Sequence, residues 1–288
     1  MARPVILLLG AAGQLGHELQ RSLAPLGDVI ARSHAELDLA DPDAVVAVAR
    51  EIRPAIIVNA AAYTAVDAAE IEPERAHAIN ARAPGLLAEE AKRIDAILLH
   101  YSTDYVFDGK SRSPYREDAA TAPLNVYGAS KLAGEEAIKA AGAHALVFRT
   151  SWVYAARGTN FLLTIKRLAA EREELRVVAD QIGTPNWART LAEATARVVD
   201  SGAGAMCERS GVYHLSSAGS ASWFDFARAI VGDVVKPRVV PITSAEFPRP
   251  AQRPAYAVLD TSKFRSAFGF ALPLWRAELE RCTQSLVA

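Results

Sequence analysis

Short apolar runs alternate with longer amphipathic stretches along the first half of the chain. Runs of four or five apolar residues are typical of strands that are buried on both faces of a sheet. Apolar positions spaced three and four residues apart are typical of helices that cover such a sheet. The pattern predicts strands at residues 5–9, 28–31, 55–59, 96–100 and 145–148, and helices at 17–24, 41–52, 72–93 and 127–141.

The alternation of strand and helix predicts an α/β fold of the Rossmann type, which is a doubly wound parallel sheet with helices on both faces. The rhythm ends near residue 150, and prolines become frequent beyond residue 236. We therefore expect a sheet domain at residues 1–152, to which a segment around residues 177–202 returns. We expect residues 153–288 to form mainly a smaller C-terminal region that covers the sheet domain.

The charge balance narrows the class of partner. The 288 residues include 32 basic and 33 acidic side chains, for a formal net charge of −1. This balance lacks the basic surface that binds nucleic acid or anionic membranes, and no apolar run approaches the roughly 20 residues of a membrane span. We therefore expect a cytoplasmic protein that binds neither. Cys207 and Cys282 lie too far apart in the sequence for a clustered metal motif or a disulfide framework.

A glycine-rich turn follows the first predicted strand and opens the first predicted helix. Its glycines, Gly10, Gly13 and Gly16, have G-x-x-G-x-x-G spacing. Small residues here let the backbone approach a pyrophosphate, and the helix N-terminus offers free N–H groups and a partial positive charge. The turn predicts a dinucleotide site, with a plain tight turn as the alternative. Residues 1–152 would then bind NAD(P), and residues 153–288 would mainly bind substrate.

The end of the second predicted strand bears on the choice of dinucleotide. NAD-binding proteins usually carry an acidic residue about 20 positions after the glycines, which binds the ribose 2′-hydroxyl. Here Arg32 and Ser33 take that place, and a guanidinium can instead bind a 2′-phosphate. We expect NADPH, with NADH as the alternative, and Asp38 beside the adenine. The other interpretation of Arg32 is a solvated surface cation.

Tyr127 and Lys131 are spaced about one helical turn apart, so both side chains project from one helix face. A phenol with a pKa of about 10 is a poor acid or base at neutral pH, but a nearby ammonium favours the phenolate and lowers that pKa. The pair is therefore a candidate proton donor to an alkoxide, with a surface helix pair as the alternative. Thr103 follows the fourth strand and could bind a substrate carbonyl, whereas we expect Ser102 to face the core.

Several segments together resemble one group of enzymes. Besides the glycine turn and the Tyr–Lys pair they are residues 59–70, 102–109 (STDYVFDG), 123–128, 149–154, 180–185 and 253–254. Along its whole length the chain resembles the extended short-chain dehydrogenase/reductase family, and within it the branch of dTDP-4-dehydrorhamnose reductases. The resemblance implies NAD(P)H-dependent reduction of a nucleotide 4-keto sugar. It also implies that Tyr127 protonates the C4 oxygen and that Lys131 binds the cofactor ribose.

The resemblance further implies the residues that surround the two ligands. On the cofactor side they are Gln14, Leu15, Asp38, Leu39, Ala61, Ala62 and Thr64. On the substrate side they are Val66, Thr103, Asp104, Tyr105, Phe107 and Trp152. Trp152 would form an apolar wall for the deoxysugar, unless it is a core tryptophan. Asn80 fits the asparagine that the superfamily places near its active-site helix, or it has a purely structural role.

Some members of the family hold a magnesium ion with glutamates at a dimer contact. Glu18 occupies one such place, but Arg189 stands where another acid would be expected, and nothing near Gln284 replaces it. A guanidinium has no lone pair with which to ligate a cation. We therefore expect no metal site and no requirement for Mg²⁺, and a monomer or weak homodimer.

Three other functions share parts of this pattern. A nucleotide-sugar 4,6-dehydratase needs an acid–base pair directly after the threonine, but here Tyr105 follows Asp104, and a phenol replaces a carboxylic acid poorly. A 4-epimerase would carry a different sequence motif directly after the fourth strand. A non-catalytic NADP-binding regulatory subunit would lack Tyr127 or Lys131, and both are present. The nucleotide and the stereochemistry at C4 rest on the resemblance alone.

Overall fold

A computed structural model describes residues 3–232 and 237–286. Its strands are β1 (Val5–Leu9), β2 (Asp28–Arg32), β3 (Ile56–Asn59), β4 (Ile97–Thr103), β5 (Ala145–Thr150), β6 (Val153–Tyr154), β7 (Glu174–Val178), β8 (Ile182–Gly183), β9 (Asn186–Trp187), β10 (Gly211–His214), β11 (Ala221–Ser222) and β12 (Arg238–Ile242). Its α-helices are α1 (Gln14–Leu23), α2 (Pro42–Ile52), α3 (Val66–Ala69), α4 (Pro73–His77), α5 (Ala83–Ile94), α6 (Val126–Ala141), α7 (Phe161–Glu171), α8 (Ala188–Asp200), α9 (Ala203–Glu208), α10 (Trp223–Val231), α11 (Ser262–Phe268) and α12 (Trp275–Gln284). A π turn at Ala78–Arg82 joins α4 to α5, and 3-10 turns lie at Asp104–Val106 and Ser244–Glu246.

A parallel sheet forms the centre of the molecule. Among the described residues six strands pair in the order β2-β1-β3-β4-β5-β10, and all of these pairings are parallel. From β1 the chain steps to β2 on one side and then to β3 on the other, so the strand order reverses between β1 and β3. Ligands of such sheets bind outside the carboxyl ends of the strands at this reversal. The predicted Rossmann-type α/β fold is confirmed.

Both faces of the sheet are covered, which is why its central strands are largely apolar. On one face Ile6 and Leu8 belong to a core that includes Leu19 of α1 and residues of α8. On the other face Leu7 and Leu9 belong to a core with residues of α2 and α5. Because successive side chains of a strand point to opposite faces, each short apolar run contributes to both cores.

The helix predicted at residues 72–93 is interrupted. The structure has α4, the π turn and α5 in its place. Pro84 gives a physical reason, because proline has no N–H to bond the carbonyl four residues earlier, which is that of Asn80. Gly134 of α6 packs against this carbonyl, and a Cβ atom there would lie 2.1 Å from the oxygen. The widened turn therefore brings Asn80 directly against α6.

The second half of the chain returns to the sheet and also builds small cores of its own. β10 extends the sheet beside β5, and α8 packs on α1. Elsewhere β7 pairs with β12, and α10 and α12 enclose a cluster around Trp187, Phe226 and Trp275. The domain boundary at residue 152 and the return segment at 177–202 stay predictions. None of the helices in the described part of the chain has the length and apolar character needed to cross a membrane.

Gly16→Ala tests how closely α1 must approach the turn after β1. A Cβ atom at residue 16 would lie 2.0 Å from the backbone oxygen of Gly10, so the helix or the turn must shift. Overpacking of this kind typically costs about 1–3 kcal/mol of unfolding free energy. We expect a lower midpoint of thermal unfolding, measured by circular dichroism.

Gly204→Ala is the matched control. Residue 204 lies in α9, and nothing stands within 4 Å of a Cβ atom built there. Since alanine favours a helix over glycine by about 1 kcal/mol, this change should leave the midpoint unchanged or raise it. A Gly16→Ala protein that unfolds at or above the midpoint of the unaltered protein would contradict the close approach.

Candidate active site

A cleft of about 510 Å³ opens at the point where the strand order reverses. Its walls come from the turn after β1, the end of β2, the loop after β3, the end of β4, and α6. The predicted cofactor residues that line it are Gly10, Gly13, Gln14, Leu15, Arg32, Asp38, Leu39, Ala61, Ala62, Thr64, Tyr127 and Lys131. The structure thus brings the glycine turn and the Tyr–Lys pair, which are far apart in the sequence, into one cleft.

The turn after β1 presents backbone rather than side chains to the cleft. Gly10 has φ of +81°, and a Cβ atom there would lie 2.7 Å from the backbone nitrogen of Ala61. Gly13 precedes α1, and in the described structure no side chain caps that helix. The first N–H groups of α1 can therefore bind an anion, which the helix dipole also favours. Gly16 does not line the cleft, and instead lets α1 pack against Gly10.

Arg32 lines the cleft at the end of β2. Its Nη1 donates to the carbonyl of Ala31 at 3.1 Å, which leaves the other guanidinium donors for a ligand. The Ser33 hydroxyl donates to Glu36 at 2.7 Å, so it is engaged within its own turn. Of the two side chains considered for a 2′-phosphate, Arg32 is the one with donors to spare.

Two basic side chains that sequence reasoning missed also line the cleft. His34 Nδ1 lies 3.8 Å from Oδ1 of Asp38, and Arg75 of α4 lies 3.7 Å from Oδ2 of the same carboxylate. His34 follows Arg32 by two residues, so a wider window around the end of β2 would have found it. No local signal connects α4 to β2, and Arg75 could be found only from the fold.

Tyr127 and Lys131 lie on the inner side of α6, as their spacing predicts. Asn125 caps this helix by accepting a hydrogen bond from the Gly128 N–H at 2.8 Å, which fixes the turn that carries Tyr127. Burial raises the pKa of Tyr127 to about 12, and the Thr103 hydroxyl opposes this rise. The phenol therefore keeps its proton at neutral pH, as a proton donor must.

The amine of Lys131 is directed towards β4. It donates to the Tyr101 carbonyl at 2.6 Å and lies 3.1 Å from Nε2 of His100. Burial lowers the pKa of Lys131 to about 8, and the charge of Glu135 opposes this change. Sequence reasoning expected Lys131 to lower the pKa of Tyr127. In the structure that pKa is raised, because desolvation of the phenolate is the largest contribution.

Thr103 ends β4 beside Tyr127. Its hydroxyl donates to Oδ1 of Asp104 at 3.0 Å and accepts from the Tyr105 N–H at 3.2 Å. Asp104 is buried, and its Oδ2 has no hydrogen-bond partner among the described residues. Burial raises the pKa of Asp104 to about 7. The Tyr105 ring meets the ring of Tyr127 edge-on, with 5.6 Å between centroids, so these three residues adjoin the phenol.

Ser102 lies at the edge of the cleft, but its hydroxyl is engaged inside the protein. Its hydroxyl donates to Glu135 at 2.5 Å, and the same carboxylate accepts from Arg149 of β5 at 2.7 Å. All three side chains are buried. A buried ion pair is costly unless its hydrogen bonds are satisfied, and this one ties α6 to both β4 and β5.

Two predicted substrate residues pack against other aromatic rings. Phe107 is fully buried and stacks on Tyr115 with 4.3 Å between ring centroids. With no exposed surface it belongs to the core under the loop after β4 rather than to the wall of a sugar pocket. Trp152 has φ of +44°. Its ring stacks on the ring of Trp223 with 3.5 Å between centroids, so one face of its indole is already covered.

Val66, another predicted substrate residue, begins α3 next to an ion cluster. Asp67 accepts from Arg253 Nη1 at 2.6 Å and from Arg249 Nε at 3.0 Å. Hydrogen bonding to Arg253, more than to Arg249, holds the pKa of Asp67 far below its usual range. The cluster therefore holds the segment at residues 249–253 against α3. The sequence contains Arg253 as part of a matched segment, but it gives no sign of this partner.

Asn80 fastens the loop after β3 to α6. Its amide nitrogen donates to the Ser130 hydroxyl and to the Tyr63 carbonyl, both at 3.0 Å, and its oxygen accepts from the Tyr63 N–H at 2.8 Å. These contacts engage both ends of the amide within the protein. They favour the structural role among the two that the sequence left open.

Glu18, the candidate metal ligand, is buried and paired with Arg189, whose Nε lies 3.1 Å from a carboxylate oxygen. The guanidinium of Arg189 also lies over the ring of Trp187, 4.8 Å from its centroid. In residues 3–232 and 237–286, no group of three or more acidic, histidine or cysteine side chains is arranged to hold a metal ion. That Mg²⁺ is not required stays a prediction.

Comparison with known proteins assigns the chain to a family. The model of the RmlD substrate binding domain family matches residues 4–288. The chain belongs to this family. The dTDP-4-dehydrorhamnose reductase of Burkholderia thailandensis is 48% identical over 98% of this chain and 99% of its own length. The protein of that name from Escherichia coli K12 is 45% identical over 98% of this chain and 97% of its own length. The resemblance inferred from the sequence is confirmed.

Solved structures of proteins with the same name share the fold of this family member. A dTDP-4-dehydrorhamnose reductase from Bacillus anthracis in complex with NADP has a TM-score of 0.92 at 38% identity, covering 99% of this chain and 100% of that one. The ortholog from Clostridium acetobutylicum has a TM-score of 0.92 at 36% identity, with the same coverage. A UDP-glucose 4-epimerase from Thermus thermophilus, with a TM-score of 0.82 at 18% identity over 99% of both chains, is similar in fold alone.

Asp104→Asn tests whether the fold buries an uncharged carboxyl group beside Tyr127. A carboxyl whose pKa is higher in the folded than in the unfolded protein binds more protons when folded, so its ionisation destabilises the fold as pH rises from about 4 to about 7. Asparagine keeps the acceptor for Thr103 and cannot ionise. We expect the variant to exceed the unaltered protein in unfolding free energy by up to about 4 kcal/mol at a pH of about 8. At a pH of about 4 the gain should vanish, as urea unfolding would measure.

Asp108→Asn is the control with the opposite sign. Asp108 accepts a hydrogen bond from the Tyr115 hydroxyl at 2.6 Å, and this bond lowers the pKa of its carboxyl. A lowered pKa contributes stability above the unfolded value and loses it as pH falls through the folded value. The control should therefore lose stability at the higher pH. A loss in both variants would show that Asp104 is stabilised as a carboxylate.

Proposed function

We propose that this protein reduces dTDP-4-dehydro-L-rhamnose to dTDP-L-rhamnose, with NADPH as the hydride donor. One observation carries the proposal: the glycine turn, Tyr127 and Lys131 meet in a single cleft of the fold. The nucleotide and the sugar come from relatives of that name, which match this chain from end to end. Reduction of another nucleotide 4-keto sugar is the alternative, because it needs the same centre.

The cleft fits a dinucleotide. The backbone at Gly10 allows close approach, and the free N–H groups of α1 suit a pyrophosphate. The guanidinium of Arg32 suits a 2′-phosphate and so favours NADPH over NADH. The NADP complex of the Bacillus anthracis relative supports this choice. When bound, the nicotinamide supplies a hydride to C4 of the sugar.

Tyr127 supplies the proton. As C4 becomes tetrahedral its oxygen gains negative charge, the O–H bond of Tyr127 breaks, and the proton passes to that oxygen. The phenolate then regains a proton from water. The raised pKa of Tyr127 keeps the proton in place until a stronger base forms beside it. Thr103 orients the C4 oxygen, and Lys131 binds the cofactor ribose.

The residues next to Tyr127 support reduction over dehydration. Burial raises the pKa of Tyr105 above the usual range of a phenol, which makes it a still poorer acid–base partner for Asp104. Asp104, Tyr105, Val66 and Trp152 are the groups that we assign to the substrate side. A cytoplasmic location and a monomer or weak homodimer stay predictions.

Turnover with the named sugar is the direct test of the function. We expect oxidation of NADPH, followed by absorbance, on addition of dTDP-4-dehydro-L-rhamnose. A panel of nucleotide 4-keto sugars would separate the proposal from its alternative, since the preferred substrate should have the highest kcat/KM. A protein that binds NADPH but turns over none of them would instead be a regulatory subunit.

Tyr127→Phe tests the proton donor. The substitution removes only the hydroxyl, so we expect kcat to fall by roughly a hundredfold or more while the dissociation constant for NADPH stays within about threefold. Tyr213→Phe is the control. The hydroxyl of Tyr213 donates to the carbonyl of Arg209, and Tyr213 does not line the cleft. Near-normal turnover by Tyr127→Phe would remove the tyrosine from the proton-donor role.

Arg32→Ala tests the choice of cofactor. Loss of a charge-assisted hydrogen bond costs about 1.5–3 kcal/mol, so the KM for NADPH should rise roughly tenfold or more. NADH serves as the internal control, because it has no 2′-phosphate for the guanidinium to bind. Equal changes for the two cofactors would show that Arg32 is a solvated cation.

A further inference from the structure

A chain of buried polar groups runs beneath the cleft from β3 to α6. Asn59 and His100 are paired in register across β3 and β4, and both are fully buried. The side-chain nitrogen of Asn59 lies 3.1 Å from Nδ1 of His100, and Nε2 of His100 lies 3.1 Å from Nζ of Lys131. Two of these residues have no role in the proposed chemistry, although the third belongs to the catalytic pair.

The backbone fixes the direction of this chain. The N–H of Ala61 donates to Oδ1 of Asn59 at 3.1 Å, and a backbone N–H can only donate. The oxygen end of the Asn59 amide therefore faces Ala61, and the NH₂ end faces His100. Since an NH₂ group donates, Nδ1 of His100 must offer its lone pair.

The imidazole carries this polarity on to the lysine. Burial is the largest cause that lowers the pKa of His100 far below its ordinary value, so the imidazole is neutral at neutral pH. A neutral imidazole has a single N–H, which the contact with Asn59 confines to Nε2. That N–H is directed at Nζ of Lys131. An ammonium group has three donors and no lone pair, whereas an uncharged amine can accept.

We infer that Asn59 and His100 are positioning residues whose hydrogen-bond chain favours the uncharged amine of Lys131 over the ammonium. The amine accepts from His100 and donates its own hydrogen to the Tyr101 carbonyl at 2.6 Å. Each of the four contacts that lead from Ala61 through Asn59, His100 and Lys131 to Tyr101 then joins a donor to an acceptor. With an ammonium instead, two donors would face each other across 3.1 Å.

The surroundings of Lys131 agree with this assignment. Its side chain is buried, and that burial lowers its pKa to about 8. From its own helix Glu135 favours the charged form, but Arg149 of β5 is paired with that carboxylate at 2.7 Å. From β4 the lysine faces His100 and the Tyr101 carbonyl. Tyr127, one turn earlier on α6, keeps its proton because burial raises its pKa.

The consequence for catalysis rests on the proposed function. A reductase needs Tyr127 protonated when the ketone arrives, and a Lys131 whose pKa is lowered towards neutrality stabilises the phenolate less in the resting protein. The hydrogen-bond chain would thus help to keep the phenol protonated until the ketone binds. Asn59 and His100 act through Lys131 and touch no ligand.

The tautomer of His100 in the unaltered protein is the first test. Two-bond ¹H–¹⁵N spectra distinguish a ring protonated at Nε2 from one protonated at Nδ1, and the signal is assigned by its loss in His100→Gln. We expect the Nε2–H form in the protein free of cofactor at a pH of about 9, above the pKa of Lys131. The Nδ1–H form would overturn the inference, and neither result depends on whether the protein reduces the proposed sugar.

The charge of Lys131 is the second test. The titration of its ¹³Cε signal, assigned by its loss in Lys131→Arg, is followed with exposed Lys139 of α6 as reference. Asn59→Ala removes the donor to Nδ1 and adds no charge, so the imidazole becomes free to protonate at Nδ1 and to accept at Nε2. We expect the Lys131 midpoint to rise by about one pH unit or more, with the reference unmoved.

Asn59→Asp separates this explanation from simple charge attraction. A carboxylate accepts from both Ala61 and His100, so the ring must protonate at Nδ1 and the Lys131 midpoint must rise. Attraction by a new negative charge alone predicts a rise in Asn59→Asp but none in Asn59→Ala. An unmoved midpoint in a folded Asn59→Ala protein would therefore overturn the inference. If neither variant folds, the tautomer of the unaltered protein still decides.

Discussion

The site depends on the parallel register of β1, β3 and β4. Because these strands run in one direction and are paired side by side, their carboxyl ends deliver the Gly10 turn, residues 59–61 and residues 100–103 to one edge of the sheet. No single strand could place an anion site, a buried imidazole and a hydroxyl together. α6 then adds Tyr127 and Lys131 over the same edge, held by hydrogen bonds from Asn80 and Ser102.

Features with a local signal could be predicted from the sequence. The glycine turn needs only small residues between a strand and a helix, and Tyr127 and Lys131 need only one helical turn between them. The five predicted strands exist, although β4 continues to Thr103, because its polar end is paired with β5 on the inside of the sheet. The positions of these motifs relative to the predicted strands and helices were therefore enough to predict most of the residues that line the cleft.

Features that depend on distant partners could not be predicted. Pro84 is a local signal that the helix predicted at residues 72–93 is interrupted, but the π turn that brings Asn80 against Gly134 depends on the contact with α6. Arg75 reaches the cleft from a separate helix. The expected effect of Lys131 on Tyr127 was reasoned from two residues, whereas burial is the largest cause of the pKa shifts of both groups. Phe107 lies within the motif at residues 102–109, but its side chain is fully buried in the core.

The two attachments of the loop after β3 differ in their response to solvent. Towards α6 the loop is held by Asn80 through uncharged amide hydrogen bonds inside the protein. Beyond α3 the segment that contains Arg249 and Arg253 is held to Asp67 by ion pairs, and the Arg249 side chain is 47% exposed. Dissolved salt screens exposed charges but hardly affects buried neutral dipoles. Ionic strength therefore acts mainly on the pair of Arg249 with Asp67, less on Arg253, whose side chain is only 16% exposed, and least on the amide hydrogen bonds of Asn80 beside α6.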